Sequence, residues 1–259
     1  MKEPVVIIGL GEMGGVFARG LLRDGHPVYP ITRDMDMQAE ARALPAPELV
    51  LVAVAEADLH PVLERLPEPW RARVALLQNE LLPPDWQRHG LDPTVISVWF
   101  EKKPGQEAKV IIPSPLHGPH AGLLAQALSA IGIPTEIVDS DERMLFELVR
   151  KNLYILVSNL CGLEVGGTVG ELWSRHRTLA CEVAHEVLQI QQWLTGREFD
   201  EEALVGAMAA AFLADPGHKC MGRSAPARLQ RALKQAREAG LDLPRLAALG
   251  RRREATRTA

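Results

Sequence analysis

A chain of 259 residues, 47% of them hydrophobic, is long enough for one large core or two modest ones. A formal net charge of -4, with 24% charged residues, offers no field for nucleic acid or an anionic membrane surface. The three cysteines, Cys161, Cys181 and Cys220, lie far apart without metal-ligand spacing, so free thiols in a reducing cytoplasm and no metal site are expected.

The first predicted element, "PVVIIG", reads as a buried strand; Gly9 breaks it and Glu12 follows, unlike a signal peptide. Gly9, Gly11 and Gly14 have G-x-G-x-x-G spacing between this strand and an amphipathic helix carrying Val16, Phe17, Leu21 and Leu22. In that context Gly9 serves a tight turn, Gly11 lets backbone approach a pyrophosphate, and Gly14 lets helix pack closely on strand. The anion then rests on unpaired N–H groups at the helix start. Gly9, Leu10, Gly11, Glu12, Met13 and Gly14 are the expected dinucleotide loop, with a ligand-free glycine turn as the alternative.

The second strand, "PVYPIT", ends in Thr32 and Arg33 before Asp34. An NAD site places a carboxylate at this end for the ribose hydroxyls, whereas a guanidinium and a hydroxyl suit a 2′-phosphate. NADP (as NADPH) is therefore expected, a solvated surface arginine being the alternative. Pro30 inside this strand, and the short "MDMQAEARAL" before the next strand "ELVLVAV", predict a sheet edge with one side unpaired near residue 30. The alternation continues through "HPVLERL", "RVALLQ" and "TVISVWF", then a hairpin from "SVWFEKK" to "AKVIIP" about Pro104-Gly105. A helix at "HAGLLAQALSAIG" and a last strand, "PTEIVD", complete this half. Apolar β-branched runs separated by helical segments predict a parallel sheet covered on both faces.

From Ser140 onward helical patterns dominate, at 141–163, 171–195, 200–214 and 226–239. The expected fold class is α/β: an N-terminal Rossmann dinucleotide-binding domain (1–139) followed by an all-α C-terminal domain (140–250) and a basic, flexible tail (251–259). No apolar stretch reaches the roughly 20 residues that span a bilayer. Apolar stripes on 171–195 and 200–214 are compatible with a homodimer.

The stretch "FELVRKNLYILVSN" sets Lys151 in a mostly apolar helix. At about 100° per residue, Glu147, Lys151, Ser158 and Gly162 share a stripe flanked by Asn152 and Asn159. The opposite face carries Leu145, Leu148, Val149, Leu156 and Leu160. A lysine on a polar stripe can protonate a carbonyl oxygen as hydride reaches its carbon. A surface pair of Glu147 with Lys151 is the competing reading, and the pattern alone does not separate the two.

The run "GIPTEIVDSDERMLFELVRKNLYILVSNLCGLEVGGTVGEL" resembles the start of the helical domain in the ketopantoate reductase (2-dehydropantoate 2-reductase) family, within the 6-phosphogluconate dehydrogenase-like dehydrogenases. Lys151 matches that family's catalytic lysine and Asn159 its later asparagine. Asn79 in "VALLQNELL" is similar to the asparagine of the family's "QNG" loop, near the nicotinamide ribose and substrate. "VVIIGLGEMGG" and Arg33 match the family's NADPH loop and its basic residue after the second strand, and Val54 in "VAV" joins the same site. The resemblance runs across about residues 1–245, through "AREAGLDLP". It implies NADPH-dependent reduction of a small 2-oxo acid in the cytoplasm, with Lys151 as proton donor and Asn79 and Asn159 holding ribose, substrate or lysine. In the family this step belongs to pantothenate biosynthesis.

The departures bear on the substrate. Ile155 replaces the family's first asparagine, and Ala55 stands where many members carry lysine. Glu80 replaces a glycine, so the backbone of that loop is expected to differ. The family's late glutamate has no counterpart; "GHKCMGRSAPARLQ" offers His218, Lys219, Arg223 and Ser224 instead. These read either as a pocket for a substrate more acidic than ketopantoate or as a solvated turn between helices. A non-catalytic NADP-binding sensor, signalling through a partner, is the rival function, favoured by Ile155 and the missing glutamate.

Overall fold

The structure, a computed structural model, describes residues 2–258, with side chains through Arg252. Contacts divide the chain into two compact units, one ending at Glu147 and the other beginning at Leu148. The change from sheet to helices comes at Asp141, beside the expected 139/140 boundary, while the contacts divide inside the helix that begins there.

The first unit alternates β1 (Val5–Ile8), α1 (Glu12–Arg23), β2 (Val28–Ile31), α2 (Met37–Ala43), β3 (Leu49–Val52), α3 (Leu59–Glu64), β4 (Val74–Leu76), α4 (Pro83–Gln87) and β5 (Thr94–Ile96). After these come β6 (Phe100–Glu101), β7 (Lys109–Val110), β8 (Ser114–His117), α5 (Ala121–Ser129), β9 (Thr135–Ile137) and the start of α6 (Asp141–Val165). The seven-stranded sheet has the order β2-β1-β3-β4-β5-β8-β9, so β1 and β3 flank the point where the winding reverses. Both strands are wholly buried, as continuous runs of Val, Ile and Leu require in a sheet covered on two faces. Phe17 and Leu21 of α1 and Leu124 and Leu128 of α5 pack on Val5, Ile7, Leu49 and Leu51; each such burial contributes about 1.5–3 kcal/mol.

β2 lies at the sheet edge and Pro30 is paired with Ile7 alone, as its missing donor demands. The β6–β7 hairpin forms about Pro104-Gly105. "TVISVWF" is not one strand, because β5 stops at Ile96 and β6 begins at Phe100. β8 was not foreseen: "SPLH" has no alternating or β-branched pattern. It runs antiparallel to β5 and parallel to β9, so the sheet is mixed rather than parallel throughout. Tertiary bonds fix it in place of propensity, with Ser97 N donating to Pro115 O at 2.9 Å and Trp99 N to Ser114 Oγ at 2.9 Å.

In the second unit, α6 is followed by α7 (Val169–Arg175), α8 (Arg177–Thr195), α9 (Glu201–Ala214), α10 (Ala225–Ala239) and α11 (Pro244–Thr258). The expected single helix 171–195 is two helices that meet at His176. Thr168 and Glu171 form a capping box that starts α7 ahead of residue 171. α11 occupies most of the segment expected as a tail, and Ala259 lies outside the described residues. Its first turn is capped from afar: the Glu186 carboxylate accepts from Arg245 N and Leu246 N, both at 2.7 Å. Arg245 in turn donates from Nη2 to both oxygens of Glu164, at 3.1 and 3.0 Å. All three cysteines are free thiols. Among the described residues no helix is long and apolar enough to cross a membrane.

Candidate functional site

The dinucleotide loop connects β1 to α1 within the first unit. Gly9 has φ +94, and a Cβ there would lie 2.9 Å from Ala53 O at the end of β3. A Cβ on Gly14 would lie 2.2 Å from Gly9 O, so α1 can sit this close only without a side chain. Gly11 is the reverse case: a Cβ there would have no neighbour within 4 Å, and no side chain caps the helix that it precedes. Open space over Gly11 at an uncapped helix start is the setting in which backbone can approach a pyrophosphate.

A cavity of about 370 Å³ opens beside this loop, lined by Leu10, Gly11, Glu12, Gly15, Lys102 and Val110 among others. Glu12 brings a carboxylate to this helix start, and Lys102 Nζ, next to β6, stands 3.1 Å from its Oε2. Leu10 is exposed and Met13 packs against the core.

Thr32 and Arg33 follow β2 and are both exposed. The Arg33 guanidinium donates from Nη2 to Asp58 Oδ2 at 3.2 Å, in the 3-10 turn after β3. Asn79 is exposed at the end of β4 and Val54 is half-buried after β3. Gln78, not foreseen as a functional residue, ties these two ends together. It is buried, its Nε2 donating to Val52 O at 2.7 Å and Val54 O at 3.3 Å, its Oε1 accepting from Leu77 N at 3.1 Å. Glu80 holds φ 58, alone among the described non-glycine residues in having a positive φ. A side chain thus occupies a left-handed position that glycine enters at little cost.

In the second unit Lys151 is half-buried on α6, its Nζ 5.7 Å from the centroid of the Tyr154 ring. Burial, reinforced by the Arg228 guanidinium, pulls the lysine down to about 7. Glu147 is itself buried, 3.7 Å from Arg143 Nε.

Asn152 turns away from this region, its Nδ2 donating to Gln191 Oε1 of α8 at 2.9 Å. Asn159 is buried, and its Oδ1 accepts from Arg228 Nη1 at 3.1 Å. Arg228, absent from the sequence expectations, is thus the basic residue brought to Asn159 and Lys151. The available signal was a charge on the buried stripe of α10, with Ala225, Leu229, Ala232 and Ala236.

The segment before α10 lies on α6, since a Cβ on Gly162 would be 3.0 Å from Cys220 Cβ. His218 is half-buried, its ring centroid 5.9 Å from that of Tyr154. Lys219 pairs through its backbone with Thr168, and the Lys219, Arg223 and Ser224 residues are exposed.

No family model and no curated protein matches the chain. Solved structures do. A ketopantoate reductase of the PanE/ApbA family from Ralstonia eutropha JMP134 superposes with a TM-score of 0.68 at 18% identity, over 96% of each chain. A dimeric ketopantoate reductase from Staphylococcus aureus gives 0.63 at 16%, over 97% of this chain and 99% of that one. D-mandelate dehydrogenase in complex with NADH gives 0.66 at 14%, over 96% of each. The fold of this chain is that of the ketopantoate reductases, the family its sequence resembles.

Proposed function

We propose that the protein is an NADPH-dependent reductase of a small 2-oxo acid. The observation that carries this reading is Lys151, a half-buried ammonium drawn to about 7 on the same helix as Asn159. The first unit's glycine loop supports a dinucleotide. When bound, the nicotinamide supplies hydride to the carbonyl carbon. Lys151 gives its proton to the oxygen that becomes alkoxide, and a pKa near neutrality eases that transfer while keeping part of the protein charged. Asn159 and Asn79 hold substrate or ribose oxygens without adding charge, and Gln78 fixes the loop that presents Asn79.

Gly9, Leu10, Gly11, Glu12, Met13, Gly14 and Val54 make the cofactor bed, with Thr32 and Arg33 for the 2′-phosphate. The Asp58 carboxylate orients Arg33 without occupying the rest of its donors. D-mandelate dehydrogenase holds NADH on the same fold, so the preference for NADPH rests on these two side chains. His218, Lys219, Arg223 and Ser224 stay candidates for an acidic group of the substrate. A homodimer is supported by the dimeric Staphylococcus aureus structure and by exposed Trp193 and Leu213.

The test is turnover of a panel of 2-oxo acids with NADPH and with NADH. Oxidation of NADPH coupled to at least one of them is expected. NADPH binding without turnover of any would leave the rival, a cofactor sensor.

A further inference from the structure

The β6–β7 hairpin is seated on α1 by an aromatic pair, the ring centroids of Phe17 and Phe100 lying 6.1 Å apart. Ala108 and Val110 of its return arm pack on the same core, so its position does not depend on charge. Two ion pairs nevertheless join it to α1: Arg19 Nη1 with Glu107 Oε2 at 2.8 Å, and Lys102 Nζ with Glu12 Oε2 at 3.1 Å. Their settings differ. Arg19 and Glu107 are 61% and 83% exposed, a solvated pair of small worth. Lys102 is only 21% exposed and lines the cavity of about 370 Å³ that also takes in Gly11 and Gly15.

Glu12 does not need this lysine, since a carboxylate in the first turn of α1 is already favoured by the helix dipole. A dinucleotide does need it. The glycine loop invites an anion to Gly11, and the next residue opposes that anion with a carboxylate. Lys102 Nζ donates to Glu12 Oε2 and, at 2.8 Å, to Lys103 O, which leaves the third of its N–H groups for a ligand oxygen.

We propose that Lys102 is the cation that meets the pyrophosphate of the dinucleotide, keeping Glu12 as its second partner so that this carboxylate does not repel the ligand. The proposal rests on the dinucleotide reading of the glycine loop and deepens it. An ammonium suits the double task, being a compact charge with rotatable donors on a flexible stem. NADPH and NADH share the pyrophosphate, so Lys102 governs affinity for both alike, whereas Arg33 separates them.

The full-length protein is titrated with NADPH and with NADH, and nicotinamide fluorescence reports each Kd. Lys102→Met, which keeps the length of the stem, should weaken both by at least about tenfold and by the same factor. Lys102→Arg keeps the charge and should stay within about threefold of the parent. Glu12→Gln should tighten both by at least about threefold. In the Glu12→Gln background Lys102→Met should still cost at least about threefold, the part that belongs to the pyrophosphate itself.

Equal affinities in the parent and Lys102→Met overturn the proposal. So does a loss that disappears in the Glu12→Gln background, because Lys102 would then only neutralise Glu12. A loss confined to NADPH overturns it too, by moving Lys102 to the 2′-phosphate, and so does a loss in Lys102→Arg as large as that in Lys102→Met. Should Lys102→Met not fold, Glu12→Gln decides, and unchanged binding in it overturns the proposal. In all these cases a dinucleotide still binds and the cofactor reading stands. A wild type that binds neither dinucleotide refutes the cofactor reading, and the Lys102 assignment with it.

Discussion

A lysine at about 7 is half-charged where a surface lysine is fully charged, and that difference gives Lys151 measurable consequences. Lys151→Ala should lower turnover by about a hundredfold or more, the usual scale for a general acid, with little change in NADPH affinity. Equal losses in the two quantities would sink the proton-donor role. Reduction needs the ammonium form, so kcat/KM of the wild type, which reports the free enzyme, should fall as pH rises through about 7. That limb should vanish in the alanine variant. The cofactor preference is a second prediction at this scale. NADPH should bind at least about tenfold more tightly than NADH, a difference of about 1.4 kcal/mol, and Arg33→Ala should erase most of it. Competition binding of the two dinucleotides decides, with equal affinity in the unaltered protein refuting the assignment. Lys151 and Asn159 stood out in the sequence because a polar stripe, with Asn159 at its flank, interrupts a mostly apolar helix. Arg228 was not, since its partner Asn159 lies on another helix and nothing local to α10 names it. The four polar residues before that helix are conspicuous in the sequence, whereas Arg228 lies on its apolar stripe.

Between β1 and α1, two glycines with different surroundings separate the fold from the ligand. Gly14→Ala would set a methyl 2.2 Å from Gly9 O, so α1 must shift. A loss of about 1–3 kcal/mol is expected, read as a lower denaturation midpoint, together with weaker NADPH binding. Gly11→Ala adds a methyl to open space at an ordinary φ of -80. Its stability should stay within about 0.5 kcal/mol of the wild type while NADPH affinity falls. If Gly11→Ala binds NADPH as tightly as the parent, the open space over Gly11 is not a cofactor bed. This loop was readable from sequence because each glycine has a local task. The edge position of β2 was readable too, through Pro30 and the short connection after it. β8 and α11 were not, for a shared reason. "SPLH" is held by Ser97, Trp99 and two neighbouring strands, and α11 by the carboxylates of Glu164 and Glu186. Propensity is a weak prior where tertiary bonds choose the conformation.

Across the whole molecule, a site that lowers the pKa of a half-buried lysine must also make stability depend on pH. The fold disfavours the ammonium, holding Lys151 at about 7 against an ordinary 10.5. Below about pH 7 folded and unfolded chains both carry the proton, and the full cost of burying it is present. Between about 7 and 10.5 the unfolded chain binds more protons than the folded one, so stability rises with pH. Above that window both forms are neutral and the cost is gone. Lys151→Met keeps the length and apolar body of the side chain and cannot titrate. Urea unfolding of both proteins at about pH 6 and pH 9 isolates the effect, because every other group titrates alike in the two. The methionine variant should be the more stable at pH 6, and its advantage should shrink by about 1–2 kcal/mol at pH 9, allowing for the lysine's partial access to solvent. Arg228→Gln should reduce the shrinkage, since it removes the second cause of the shift. Parallel stability profiles for wild type and Lys151→Met would mean that Lys151 titrates as a surface lysine does. The dry, positively charged setting assigned to it, and the proton transfer that depends on that setting, would then both fall.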